Sequence, residues 1–146
     1  MKILNVHKTL LLEFICFLYV LLFVYAAVSK LIDFNQFKIQ LGQSPILTAY
    51  SNWIAWGVPI AELIIAFLFL CSRSMLLAFY FSFSLMTIFT TYIILILNFS
   101  DYIPCSCGGI LETLSWNSHL TLNFIFIGLA VVGIFILEYQ IQYNKQ

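Results

Sequence analysis

Four long apolar runs constrain the fold of this chain more than any other feature of its sequence. They cover about residues 9–28, 54–70, 75–97 and 119–137. A helix of about 20 apolar residues is long enough to cross the hydrocarbon core of a bilayer. Of the 146 residues, 63% are hydrophobic and 8% are charged, whereas soluble domains carry roughly 25% charged residues. The sequence therefore predicts an all-α integral membrane protein, a four-helix bundle that forms one transmembrane domain over residues 1–146.

The first apolar run has two interpretations. Ala27-Val28-Ser29 has the small-x-small pattern of a signal-peptide cleavage site, so the run could be removed after export. Glu13 and Cys16 interrupt the run, however, and such residues are unusual in the apolar part of a signal peptide. We therefore interpret the run as an uncleaved span.

Two polar features qualify this apolar pattern. Residues 29–52, between the first and second runs, are mixed in character and are predicted to lie along the membrane interface, partly as a helix over residues 33–41. Within the third run, hydroxyl side chains recur at helical spacing. A polar stripe of this kind is expected to face other helices rather than lipid. Its members are Tyr80, Ser84, Thr87 and Thr91.

The distribution of basic residues predicts the orientation of the bundle. Four spans put both termini on one side, and cytoplasmic loops carry an excess of Lys and Arg. With cytoplasmic termini, the inner side has four basic residues and the outer side has two: Lys2, Lys8, Arg73 and Lys145 against Lys30 and Lys38. We therefore expect a multi-pass protein of a bacterial inner membrane, with the loop between its third and fourth spans facing outward. The formal net charge of zero gives no indication of a nucleic-acid partner.

The loop between the third and fourth runs contains the most concentrated chemistry in the chain, Pro104-Cys105-Ser106-Cys107-Gly108-Gly109. Two cysteines separated by one residue can close a small disulfide ring, which we expect to be strained. Strained or exposed disulfides have more oxidising potentials and exchange readily. Proline and glycine favour the tight turn that such a ring needs. Cys105 and Cys107 are therefore the predicted catalytic pair of a thiol–disulfide exchange protein.

Other interpretations of these cysteines stay open. Cys105 and Cys107 are also soft ligands suited to copper(I), which would make the chain a metal-binding or metal-delivery protein. A tetrahedral zinc site would need more ligands than the loop offers. The pair could also be a purely structural disulfide. Cys16 and Cys71 fall toward the opposite, cytoplasmic side, and we interpret both as packing residues.

Four polar residues near the apolar runs are predicted to support the same site. Glu62 lies within the second span, where burying an ionisable group in the membrane is costly. We therefore predict that Glu62 has a functional role and pairs with another polar residue. Lys30, at the outer end of the first span, is the expected cation, with its long stem reaching the interface. Asn123 and His119 lie near the outer end of the fourth span. One alternative is that Glu62 is protonated and only ties helices together. His119 could be a general base for a thiol, a metal ligand or an ordinary interfacial residue.

Several short motifs, taken in order, resemble the methylamine-utilisation protein MauE family and the broader DoxX-like membrane proteins. The resemblance covers most of the chain. The matching pieces are Tyr25-Ala26-Ala27-Val28-Ser29-Lys30-Leu31, Leu41-Gly42-Gln43-Ser44-Pro45, Pro59-Ile60-Ala61-Glu62, Pro104-Cys105-Ser106-Cys107-Gly108-Gly109, Leu114-Ser115-Trp116 and Asn123.

This resemblance implies a four-helix membrane protein with an extracytoplasmic redox role in the maturation of exported proteins. The family is named for the formation of methylamine dehydrogenase, so it also implies a link to amine metabolism. Its members often work beside a thioredoxin-like partner. The architecture is similar to the four-helix oxidoreductases of the DsbB and vitamin K epoxide reductase class, and by that fold analogy alone quinone is a candidate cofactor. Whether the chain turns over as an enzyme is left open at this point.

Overall fold

The architecture was derived from a computed structural model, which describes residues 2–43, 47–99 and 116–143. Five α-helices account for nearly all of these residues. They are α1 (Lys2–Ile32), α2 (Phe34–Gln43), α3 (Ser51–Leu70), α4 (Met75–Phe99) and α5 (Trp116–Tyr143). Two 3₁₀ turns, Thr48–Tyr50 and Ser72–Ser74, precede α3 and α4. The described part of the chain contains no strand, which confirms the all-α prediction.

Among the residues that the structure describes, four segments are long and apolar enough to cross a membrane, which agrees with the predicted number of spans. They are Thr9–Ile32, Thr48–Leu70, Ser72–Asn98 and Ser118–Tyr143. A lipid environment favours helices here because a helix satisfies its backbone N–H and C=O groups within one segment. The short helix α2 is not one of the four, and it corresponds to the helical part of the predicted interfacial segment.

Successive spans run antiparallel, so the helix ends gather into two groups. Lys30 in the last turn of α1 meets Glu62 of α3, while Tyr80 near the start of α4 bonds Glu138 near the end of α5. The end of α1, the start of α3, the end of α4 and the start of α5 therefore lie together. We call this the cavity end of the bundle. Helix α2 lies at this end too, since it joins α1 to α3.

The predicted polar stripe on α4 is placed differently from what we expected. Ser84, Thr87 and Thr91 are exposed on the outer surface of the bundle rather than turned toward other helices. The hydroxyls of Thr87 and Thr91 donate to the carbonyl oxygens one helical turn earlier, at 2.7 and 2.8 Å. Because those hydrogen bonds are made within the helix, these hydroxyls need no partner on another span. The prediction was wrong for Ser84, Thr87 and Thr91. It is confirmed for Tyr80, whose hydroxyl donates to Glu138 of α5 at 2.7 Å.

An aromatic cluster at mid-bundle ties the four spans together. Tyr19 of α1 is fully buried and stacks on Phe69 of α3, with ring centroids 5.1 Å apart. The edges of Phe79 from α4 and Phe126 from α5 meet its ring at 5.7 and 5.2 Å. The Tyr19 hydroxyl also donates to the Phe126 carbonyl oxygen. Edge-to-face and offset aromatic pairs of this kind add specificity to packing, so one side chain sets the registry of four helices.

Gly133 of α5 allows α4 and α5 to approach closely. A Cβ atom at this position would lie 2.5 Å from the Phe79 ring, and that ring is itself held against Tyr19 and Phe69. Small residues at helix contacts are common in membrane bundles because they let backbones come together. Gly128, one and a half turns earlier on the same helix, has nothing within 4 Å of its Cβ position.

Gly133→Ala is therefore expected to lower the free energy of unfolding by about 1–3 kcal/mol, the usual cost of overpacking a full site. Gly128→Ala is the matched control and should be neutral or slightly stabilising, because alanine favours the helix over glycine. Reversible unfolding in mixed detergent micelles measures both. Equal stability of the two variants would show that the contact between α4 and α5 is looser than described.

Candidate functional site

A buried ion pair joins α1 and α3 at the cavity end. The Lys30 Nζ lies 2.8 Å from the Glu62 Oε1, and the two side chains are only 8% and 1% exposed. The same Nζ donates to the Ala26 carbonyl oxygen at 3.2 Å and lies 6.0 Å from the centroid of the Phe37 ring. Lys30 was predicted to pair with Glu62 from the outer end of the first span, and the structure shows that pair, with Lys30 buried in the bundle rather than lying at the interface. Burying both charges is costly unless they pair closely and make further hydrogen bonds. The Lys30 ammonium meets that requirement, whereas the second carboxylate oxygen of Glu62 has no partner among the described residues.

Helix α1 is long enough to carry Lys30 inward, and this explains the difference. The apolar run ends near residue 28, but the helix continues to Ile32, so Lys30 keeps the periodicity of Phe23, Ala26 and Ala27 on the buried face. Helix α2 then folds over the pair from the side. The face of α2 that turns inward carries Phe37, Gln40 and Leu41, which lie three and four residues apart as a helical face requires.

Three polar groups beside this ion pair lack a hydrogen-bond partner among the described residues. They are the second carboxylate oxygen of Glu62, the side-chain nitrogen of Asn123 and both ring nitrogens of His119. Asn123 is 3% exposed. Buried polar atoms are nearly always satisfied, so each exception asks for an explanation such as water or a ligand.

These unpaired groups line a cavity of about 340 Å³. All five helices contribute to its wall, and most of the lining is apolar. Representative lining residues are Phe23, Phe37, Leu41, Met86, Phe89 and Ile93. Binding sites for small molecules are typically concave, mainly apolar and supplied with a few placed polar groups. The cavity has these three properties.

The structure brings all four members of the predicted polar cluster to this cavity. Lys30, Glu62, His119 and Asn123 each line it, and their functional role stays a prediction.

Sequence reasoning missed Gln40 and Tyr92, which line the same cavity. The spacing of Phe37, Gln40 and Leu41 on one face of a short helix was the available signal for Gln40. No comparable signal marked Tyr92, which follows Thr91 and precedes an apolar run on α4.

The predicted catalytic pair, Cys105 and Cys107, lies outside the described residues. The other two cysteines are described, and both are free. Cys16 is buried in the core, in keeping with a packing role. Cys71 is exposed in the turn between α3 and α4, so the expectation that it packs in the interior was wrong. Its position at a helix end explains this, because a turn residue between two spans has no neighbouring helix to cover it.

Metal binding was the alternative prediction for the loop cysteines. In the parts of the chain that the structure covers, no three His, Cys, Asp or Glu side chains come together in a way that could hold a metal ion. That observation concerns the helices and leaves a site built on Cys105 and Cys107 untested.

Comparison with known proteins supplies the family. The model of the methylamine utilisation protein MauE family matches residues 8–136. No curated protein and no solved structure matches the chain. The matched region contains the first three spans and residues 118–136 of the fourth, together with the ion pair and the residues that line the cavity. The chain therefore belongs to the MauE family of methylamine utilisation proteins.

Proposed function

We propose that this protein exchanges disulfides through Cys105 and Cys107 and so supports the maturation of exported proteins. The observation that carries the proposal is the position of the polar cavity. Lining residues occur near the end of α4, at Ile96, and near the start of α5, at His119. The two cysteines belong to the segment that connects these two helix ends. The dithiol segment and the cavity are therefore attached to the same end of the bundle.

The chemistry needs only the two cysteines and a partner protein. A partner thiolate attacks the disulfide between Cys105 and Cys107, which forms a mixed disulfide and releases one cysteine of the pair as a thiolate. A second partner thiolate then attacks the mixed disulfide. The partner leaves with a new disulfide, and the pair is reduced by two electrons. The reverse sequence reduces a partner disulfide and oxidises the pair.

The proposal includes a location. We place the dithiol loop on the outer side of a bacterial inner membrane, because the basic residues divide four to two in favour of cytoplasmic termini. Disulfide chemistry is sustained outside the cytosol and suppressed within it. A thioredoxin-like protein on the outer side is the proposed exchange partner. The family name supports amine metabolism as the setting.

Trapping of a mixed disulfide tests this function. Each single variant, Cys105→Ser or Cys107→Ser, keeps one thiolate that can attack a partner disulfide but lacks the second cysteine that would resolve the mixed disulfide. A covalent partner should therefore accumulate in at least one of them and be released by reductant. The double variant should trap nothing. Cys71→Ser is the matched control, since Cys71 is exposed but belongs to the opposite end of the bundle, and it should behave like the parent.

Two results would contradict the proposal. One is a double variant that supports partner maturation as well as the parent does. The other is purified protein that binds stoichiometric copper through both cysteines and traps no partner, which would favour metal delivery.

An impermeant thiol reagent added from outside should label the reduced pair in intact cells, and labelling only after the cytoplasmic face is opened would overturn the orientation.

A further inference from the structure

The cavity offers more hydrogen-bonding capacity than the described residues use. Asn123 presents two N–H donors, and neutral His119 presents one donor and one acceptor. The free oxygen of Glu62 is a second acceptor. None of these atoms has a hydrogen-bond partner among the described side chains or backbone. A molecule that both donates and accepts hydrogen bonds would therefore complete the polar part of the cavity.

The charges in the cavity select a neutral molecule. Lys30 and Glu62 pair at 2.8 Å, so the ionisable groups that line the cavity sum to zero when His119 is neutral. An anionic or cationic head group would add a net charge to a site whose own charges already balance. A buried charge without a counter-charge is costly in a medium of low dielectric constant, so a neutral head group is favoured.

The apolar walls select a lipid-soluble molecule with a flat head. The cavity lies within the spans, and its volume of about 340 Å³ is in the range of sites for small organic molecules. Phe37, Phe89 and Tyr92 place three aromatic rings among the lining residues. Aromatic side chains pack well against a planar ring.

We propose that this cavity binds a quinone, with the ring oxygens held by Asn123, His119 and Glu62. A quinone is neutral, planar and lipid-soluble. Its carbonyl oxygens accept hydrogen bonds from Asn123 and His119 in the oxidised form, and its hydroxyls donate to Glu62 and His119 in the reduced form. The same side chains therefore serve both forms. That the cavity holds a neutral lipid-soluble ligand follows from its geometry, whereas the choice of a quinone among such ligands rests on the proposed redox function.

Photolabelling of the full-length protein in lipid nanodiscs tests the assignment. An azido-ubiquinone should label peptides from α1, α3 or α5 that line the cavity, and decylubiquinone should compete with it. Asn123→Leu removes the unpaired donor and is expected to weaken binding of decylubiquinone about tenfold, the loss expected for one good hydrogen bond. Asn98→Leu is the matched control. Asn98 is exposed on α4 and donates to the Ile94 carbonyl oxygen, so this variant should bind like the parent.

The outcomes separate this proposal from the proposed function. The Cys105→Ser, Cys107→Ser double variant should bind decylubiquinone normally, because the proposed hydrogen bonds come from Asn123, His119 and Glu62. Labelling that is spread along the chain, or competition by decanol as strong as by decylubiquinone, would overturn the quinone assignment, with water then satisfying the polar groups. If the quinone assignment fails in this way but a partner is still trapped, the proposed disulfide exchange is supported without a quinone site. If binding is specific but no partner is trapped, the cavity assignment stands and the dithiol function fails.

Discussion

Lys30→Met is expected to destabilise the protein by about 3–5 kcal/mol, among the largest effects of any single substitution in the bundle. The Lys30 Nζ is the partner of the Glu62 Oε1 at 2.8 Å, and both side chains are almost completely buried. Removing the ammonium leaves a carboxylate in the interior with no counter-charge among the described residues. The measurement is the free energy of unfolding on titration of a mixed-micelle sample with denaturing detergent.

The control for this prediction is the double variant Lys30→Met, Glu62→Met. Methionine approximates the volume of both side chains, and replacing a whole buried ion pair by apolar residues is often neutral or stabilising. The double variant should therefore recover most of the stability lost in the single one. If Lys30→Met alone is as stable as the parent, the pair is better solvated than its burial indicates. If the double variant is as unstable as Lys30→Met, packing rather than charge explains the loss.

Tyr19→Ala is expected to cost about 3–5 kcal/mol, the range found when a large buried aromatic side chain is truncated. The ring of Tyr19 contacts rings from all the other spans, so its loss leaves a cavity where four helices meet. Lipid does not enter such a space readily, and the lost van der Waals contacts are not replaced. Thermal unfolding followed by circular dichroism should show the effect.

Tyr19→Phe separates the ring from the hydroxyl. It removes only the hydrogen bond to the Phe126 carbonyl oxygen and keeps the ring, so a loss of about 1 kcal/mol is expected, as for other polar contacts between membrane helices. Equal losses for Tyr19→Phe and Tyr19→Ala would mean that the hydroxyl, rather than the ring, sets the registry of the spans.

The polar site shows how far sequence reasoning reached. A carboxylate within an apolar run is so costly that a cationic partner was expected, and Lys30 was chosen because its long stem could reach from the outer end of the first span. The pairing of Glu62 with Lys30 could be inferred from that argument. The depth of the pair could not, because it depends on α1 continuing past its apolar run and on Phe37 of α2 covering the ammonium group.

The two errors in the sequence reading have a common physical cause. Thr87 and Thr91 were expected to need partners on other helices, and Cys71 was interpreted as a packing residue. The hydroxyls instead bond to carbonyl oxygens of their own helix, and Cys71 lies in a turn. In both cases the local backbone geometry determined the environment of the side chain. The residue type alone indicates only the environment that such a side chain prefers on average.

The sequence by itself determined the class of the protein, the number of its spans and the identity of its most costly residue. These follow from the free energy of placing backbone and charge in lipid, which depends on the type and order of residues along the chain. Only the tertiary structure decided that Lys30, Glu62, His119 and Asn123 share one cavity, and that Gln40 and Tyr92 join them. That grouping depends on the rotation and registry of five helices, which packing around Tyr19 and the closeness allowed by Gly133 determine.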